Sequence, residues 1–271
     1  TQPSLSVVTA SDNSRARAVE EARLRINKSK RPADYYHTTI EFVNEVLNAA
    51  GAKSFYAYPT REEVENGTAS PSVVKFVNTY KENGAFFEKG SGYTPRIGDV
   101  AVLESNGNSD DGADKLAIIS GYSDADGEHS YVIIYDTELD RVIDSAECPY
   151  EIIGYCTPFY KYDDLGDCNF DGVLNRTDID VQMSTLDNNS DTFKTYQKLC
   201  MDINESDTVN RIDLFELQSK ISKSLTFEGE ETDYSQVGTT NDDSIYAEKD
   251  KDSAAYLCYG QQIHILSDRI Q

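Results

Sequence analysis

Asp167-Cys168-Asn169-Phe170-Asp171-Gly172-Val173-Leu174-Asn175-Arg176-Thr177-Asp178 is followed, 35 residues on, by Asp202-Ile203-Asn204-Glu205-Ser206-Asp207-Thr208-Val209-Asn210-Arg211-Ile212-Asp213. A hard cation such as calcium takes about six to eight oxygen ligands, and a twelve-residue loop presents them from positions 1, 3, 5, 7, 9 and 12. In the first copy these are Asp167, Asn169, Asp171, the Val173 carbonyl, Asn175 and Asp178. Gly172 stands at position 6, where the chain must turn sharply. Asp178 replaces the Glu of the usual pattern. The second copy offers Asp202, Asn204, Ser206, the Thr208 carbonyl, Asn210 and Asp213. There Ser206 replaces a carboxylate and Asp207 the turn glycine, so the second site is expected to bind calcium more weakly. The alternative is a pair of Asp/Asn-rich turns without metal. Against it, both copies run into an apolar stretch at helical spacing: Ile179, Met183 and Leu186, then Leu214, Leu217 and Ile221.

Composition narrows the partners. The 271 residues suffice for a domain of about 150 residues and a small second module. With 48 acidic against 25 basic residues the net charge is −23, which disfavours nucleic acid and anionic membrane surfaces. No run of apolar residues reaches membrane-spanning length. The opening Thr1-Gln2-Pro3 shows no signal peptide, as expected of a mature or trimmed chain. Five cysteines, Cys148, Cys156, Cys168, Cys200 and Cys258, form no C-x-x-C pair, which argues against zinc. Cys148 with Cys156, or Cys168 with Cys200, could bridge; buried free thiols are the other reading.

The first 160 residues read as helices and then strands. Helical spacing covers 14–28 (Ala18, Val19, Ala22, Ile26) and 38–50 (Ile40, Val43, Val46, Leu47, Ala50), the latter stopped by Gly51. A third helix is expected to open at Ser70-Pro71 and end at Asn83-Gly84, burying Val73, Phe76, Val77 and Tyr80. Asp99–Glu104, Leu116–Tyr122, Ser130–Tyr135, Arg141–Ser145 and Glu151–Tyr155 are β-branched or aromatic-rich runs between turn residues. Asn106–Asp114 reads as an acidic loop. The expected class is α+β, with helices on an antiparallel sheet, followed by a small all-α module. Residues 224–253 read as an acidic linker. The 254–271 segment alternates at Tyr256, Cys258, Ile263 and Ile265 and should form one or two strands that need burial elsewhere.

Residues 165 to about 223, in a module spanning 161–223, carry paired D-x-N-x-D-G-type loops with a helix after each and resemble a type I dockerin. The resemblance implies calcium-dependent folding as an EF-hand-like pair and docking to a cohesin module of a scaffoldin, in a secreted, cell-surface complex of a bacterium that takes part in polysaccharide breakdown. It assigns partner contact to loop positions 10 and 11, here Arg176, Thr177, Arg211 and Ile212, and to the helices that follow. On the residues alone, both arginines also fit solvated surface charge.

Within the first domain, residues 1–160, the stretch from about 14 to 160 is similar to a CHAP domain, a papain-like cysteine amidohydrolase or peptidase that cuts peptidoglycan. The similarity rests on Phe42-Val43, Ala50-Gly51, Tyr93-Thr94-Pro95-Arg96-Ile97-Gly98-Asp99-Val100, Lys115 to Tyr122, Ile153-Gly154-Tyr155 and Pro158. That family needs a Cys nucleophile, a His base and a polar orienting group. The corresponding positions hold Thr39, Lys115 and Tyr135. The expectation is a module without thiol catalysis; an active cell-wall hydrolase with another site, and a carbohydrate-binding module, are the alternatives. His37, His129 and His264 read as surface or structural residues.

Overall fold

The computed structural model describes residues 11–26, 38–105, 113–122, 130–145, 150–188 and 193–224, together with the backbone of 255–259 and 262–266. His37, His129, Cys148 and the 224–253 linker, apart from Ser224, lie outside the described residues, as do the side chains of His264 and Cys258.

The chain begins with helices. In α1 (Arg15–Arg23), Ser14 accepts from the Arg17 N–H and so satisfies one of the open donors at the helix start. In α2 (Thr39–Ala49), Glu41 accepts the Thr38 N–H at 3.1 Å, and the helix ends before Gly51, whose φ is +72°. A short α3 (Arg61–Glu65) escaped the apolar-spacing argument, because it is exposed and carries no apolar stripe. Helix α4 (Val73–Glu82) starts at Ser72 rather than at Ser70-Pro71. The Tyr56 hydroxyl accepts the Ser72 N–H at 3.2 Å, Ser72 itself is extended, and its side chain is the cap, accepting from Lys75 N–H.

Six strands follow: β1 (Phe86–Glu88), β2 (Val100–Glu104), β3 (Lys115–Tyr122), β4 (Ser130–Asp136), β5 (Arg141–Ser145) and β6 (Glu151–Cys156). They form one antiparallel sheet in the order β1-β6-β2-β3-β4-β5. Side chains alternate between its faces. Val100, Val102, Leu116, Ile118 and Ile133 pack with Phe42, Val43, Val46, Leu47, Phe76 and Tyr80 of the helices. Ala101, Leu103, Ala117, Ile119, Val132 and Ile134 form a separate cluster on the other face. The expected class is thus present as a mixed α+β molecule with eight helices among the described residues.

Beyond the sheet lie α5 (Lys161–Asp164), α6 (Arg176–Asp187), α7 (Thr195–Met201) and α8 (Arg211–Ser224). Cys168, Met201, Leu217 and Ile221 make a small core here, and Met183, expected inside, is exposed instead. Gln182 takes the inward place on α6, fully buried, with Nε2 donating to the Met201 carbonyl at 3.0 Å. Helix α7 faces two ways: Met201 belongs to this small core, whereas Tyr196 and Cys200 belong to the core of the sheet module. Cys156, Cys168 and Cys200 are free, buried thiols. Strands β7 (Ala255–Tyr259) and β8 (Gln262–Leu266) pair with each other in a separate two-stranded sheet and do not join the larger one.

Candidate metal loops and their contact with the sheet module

The two loops fold alike and share most of their side-chain-to-backbone bonds, except that the position-2 N–H bonds the last aspartate in loop 1 (Cys168 to Asp178) and the Met201 carbonyl in loop 2 (Ile203). At position 4, Phe170 and Glu205 have φ of +65° and +56°; at position 6, Gly172 and Asp207 have φ of +80° and +63°. Such angles suit glycine, and aspartate visits them more readily than most residues. The first aspartate receives the position-5 and position-6 N–H groups in each copy: Asp167 from Asp171 and Gly172, Asp202 from Ser206 and Asp207. The last aspartate closes each loop. Asp178 accepts from Cys168 and Asn175 N–H, Asp213 from Asn204 and Asn210 N–H. Asn175 and Asn210 each accept from the N–H two residues on and donate to the position-7 carbonyl, Val173 O or Thr208 O.

The donor set is entirely oxygen, as a hard cation requires. Asn169 Oδ1 accepts from Asp171 N–H and Asn204 Oδ1 from Ser206 N–H, so both position-3 amides face into their loops. Asp167, Asp178 and Asp213 are buried. Burial pushes the Asp167 and Asp178 carboxyls up, while Arg96 pulls Asp167 back down. Among the described residues no three His, Cys, Asp or Glu side chains converge as a ready metal cluster. In loop 1, Asp178 accepts backbone N–H groups, and Asp167 is shared with Arg96.

Loop 1 is joined to the sheet module by an ion chain. Asp99 receives Arg15 Nη1 at 2.7 Å, and Arg15 Nε donates to Asp164 Oδ1 at 2.9 Å. Arg96 Nη1 lies 3.3 Å from Asp164 Oδ1 and donates to Asp167 Oδ2 at 2.6 Å. Charge alternates at every step, so each buried ion has a partner. Gly98, at φ +82°, lets the backbone pass Arg15 closely; a Cβ there would stand 3.1 Å from Arg15 Cα. The Arg96 Nη2 donates to the Tyr196 hydroxyl at 2.9 Å, and the Phe170 ring packs against Tyr196 with centroids 5.0 Å apart.

The residues expected to meet a partner protein lie on the surface. The side chains of Arg176 and Arg211 are 71% and 77% exposed. Thr177 and Ile212 are exposed beside them, as are Val173, Met183 and Phe215. Arg211, at the start of α8, pairs with Asp187, at the end of α6, at 3.1 Å, which places the two helices head to tail.

The three positions matched to the hydrolase pattern do not form a catalytic group. Thr39 is buried, and its Oγ1 accepts the Leu116 N–H at 3.0 Å. Lys115 is the next residue along β3, so its side chain leaves on the opposite face of the sheet from Leu116. Its Nζ stands 5.1 Å from the Tyr150 ring centroid, and Tyr150 packs on the second cluster. Tyr135 donates its hydroxyl to Asp140 Oδ1 at 2.6 Å; burial and Asp140 push its phenol up to about 12.

Arg15, Asp164 and Tyr196 carry no local sequence signal, and Arg96 and Asp99 are marked in the sequence only as members of a motif. A Pro-x-x-Gly-Asp turn with arginine inside it was the one available signal. Among the described residues no helix is long and apolar enough to cross a membrane. No family model, curated protein or solved structure matches the chain.

Proposed function

We propose that the chain is a calcium-dependent docking protein: a dockerin-like module that attaches a non-catalytic, CHAP-like module to the cohesin of a scaffoldin, in a secreted cellulosome-type assembly. The observation that carries this reading is the repetition of one hydrogen-bonded loop, 35 residues apart, each opening a helix with an exposed arginine at its first position. Calcium would be held by Asp167, Asn169, Asp171, Val173 O, Asn175 and Asp178, and more weakly by Asp202, Asn204, Ser206, Thr208 O, Asn210 and Asp213. It would supply the charge that offsets the gathered carboxylates. Arg176, Thr177, Arg211 and Ile212, with α6 and α8, would form the contact, and the near symmetry of the two copies allows two docking orientations.

The geometry at the three matched positions supports the non-catalytic reading. The Thr39 hydroxyl is engaged by a backbone N–H, and the Lys115 ammonium lies across the sheet from it. Among the described residues no hydrogen bond links the two, as general-base chemistry would need. A cell-wall or polysaccharide ligand for the sheet module remains compatible with this reading, since binding needs no base.

The test uses the full chain. Calorimetry should show two calcium sites, with Asp167→Ala removing the tighter one. Capture on a panel of immobilised cohesins should require calcium and fail in the Arg176→Asp, Arg211→Asp double variant, which reverses charge at both contacts. Absence of calcium heat, or capture unaffected by chelator, would sink the proposal. So would turnover of cell-wall fragments that disappears in Thr39→Ala.

A further inference from the structure

The two loops match in backbone and differ in electrostatic surroundings. In loop 1, Asp167 Oδ2 receives both the Gly172 N–H at 3.0 Å and Arg96 Nη1 at 2.6 Å. The side chains of Arg96 and Asp167 are 11% and 2% exposed, so water screens the pair little. The Arg96 stem covers the turn itself: its Cδ lies 3.2 Å from where a Cβ on Gly172 would stand. Phe170, one residue before Asp171, sets its ring against Phe87 of β1 and against Tyr196, which belongs to the core of the sheet module.

Loop 2 has none of this. Asp202 accepts from Ser206 and Asp207 N–H, and among the described residues no cation pairs with it. Asp207 and Glu205 add two more acidic side chains to the same turn. Lys161 meets Glu205 at 2.6 Å, but both side chains are about half exposed, and such pairs hold little.

We infer that Arg96 is the resident counter-cation of loop 1: a positioning residue, contributed by the sheet module, that holds Asp167 and the Asp171-Gly172 turn in place without metal, whereas loop 2 depends on its cation for order. The metal half of this inference rests on the calcium reading above; the Arg96 half rests on the contacts alone. Loop 1 is consequently part of the sheet module's folded body before any cation arrives, and the calcium response of the protein is concentrated in loop 2 and α8.

Amide hydrogen exchange on the full chain tests this, first in chelator and then in calcium chloride. In chelator the Asp171 and Gly172 amides should exchange about tenfold or more slower than Ser206 and Asp207, which open locally. Arg96→Met should erase that contrast while Val43 and Ile118 stay protected. Calcium should slow loop 2 by the larger factor. Equal exchange of the two loops in wild type, or a contrast that survives Arg96→Met, would overturn the inference. Should Arg96→Met also expose Val43 and Ile118, Asp167→Asn removes the same pair from the loop side, and a contrast surviving there is equally fatal. A chelator contrast lost in Arg96→Met, with no calcium response in either loop, upholds the role of Arg96 and overturns the calcium reading alone.

Discussion

Arg15 and Asp164 form an ion pair sealed from solvent, Nε to Oδ1 at 2.9 Å, with side chains 5% and 0% exposed. They stand 149 residues apart and fasten α1 to the segment that leads into loop 1. Arg15 also holds Asp99 and donates to the Thr157 hydroxyl. Arg15→Met would leave two buried carboxylates short of a cation, which costs about 3–5 kcal/mol. Urea unfolding at neutral pH measures this, and a loss below about 1 kcal/mol would contradict the sealed network.

Thr39→Ala should destabilise without touching any activity. Its hydroxyl is the acceptor for the Leu116 N–H inside the helix–sheet core. Leaving that donor unpaired costs about 1–3 kcal/mol. Thr39→Ser keeps the oxygen and should recover most of the loss. Equal destabilisation by both variants would mean that the methyl group, not the hydrogen bond, carries the effect.

Asp207→Gly should stabilise. Asp207 sits at φ +63° in loop 2, where Gly172 occupies the matching position of loop 1. Relieving an L-residue of left-handed backbone is worth about 0.5–1 kcal/mol, and the variant also removes one negative charge from a crowded turn. Thermal unfolding in chelator should show a higher midpoint. A lower one would mean that the Asp207 carboxylate has a role of its own.

High pH should unfold the protein cooperatively. Burial pushes the phenols of Tyr80, Tyr93, Tyr160 and Tyr196 up, and that of Tyr135 up to about 12. For a group whose folded value is raised, the stabilising contribution is complete below the unfolded value, about 10 for tyrosine, and is lost as pH rises through the folded one. Phenolate absorbance from these residues should therefore appear together with loss of helical circular dichroism, above pH about 10. Full ionisation of all 18 tyrosines in a protein that keeps its fold would refute this.

The strands were legible because their signal is contiguous. Arg141–Ser145 has the bounds expected of it, and the other four of the five expected strands differ by one residue at an end. Alternation and β-branching act on the residues that carry them. The first strand, Phe86–Glu88, was missed, being too short to show a period. Met183 was misplaced for a different reason. Helical spacing gives a stripe but not which side is inward, and here the fully buried Gln182 takes the core side.

What the sequence determined by itself is the pair of loops and the helices that leave them, since donor spacing within twelve residues is a local property. Even the capping by Asn175 and Asn210 is built from neighbours. What only the tertiary structure decided is how the loops differ. Arg96 reaches Asp167 across 71 residues and Tyr196 across 100. No periodicity links such positions; they meet because the sheet, α1 and α7 bury a common core, and a charge drawn into that core must find its opposite there. The same holds for Thr39 and Lys115: Thr39 of α2 accepts the Leu116 N–H, and the pleat of β3 sends the Lys115 side chain to the face opposite that of Leu116.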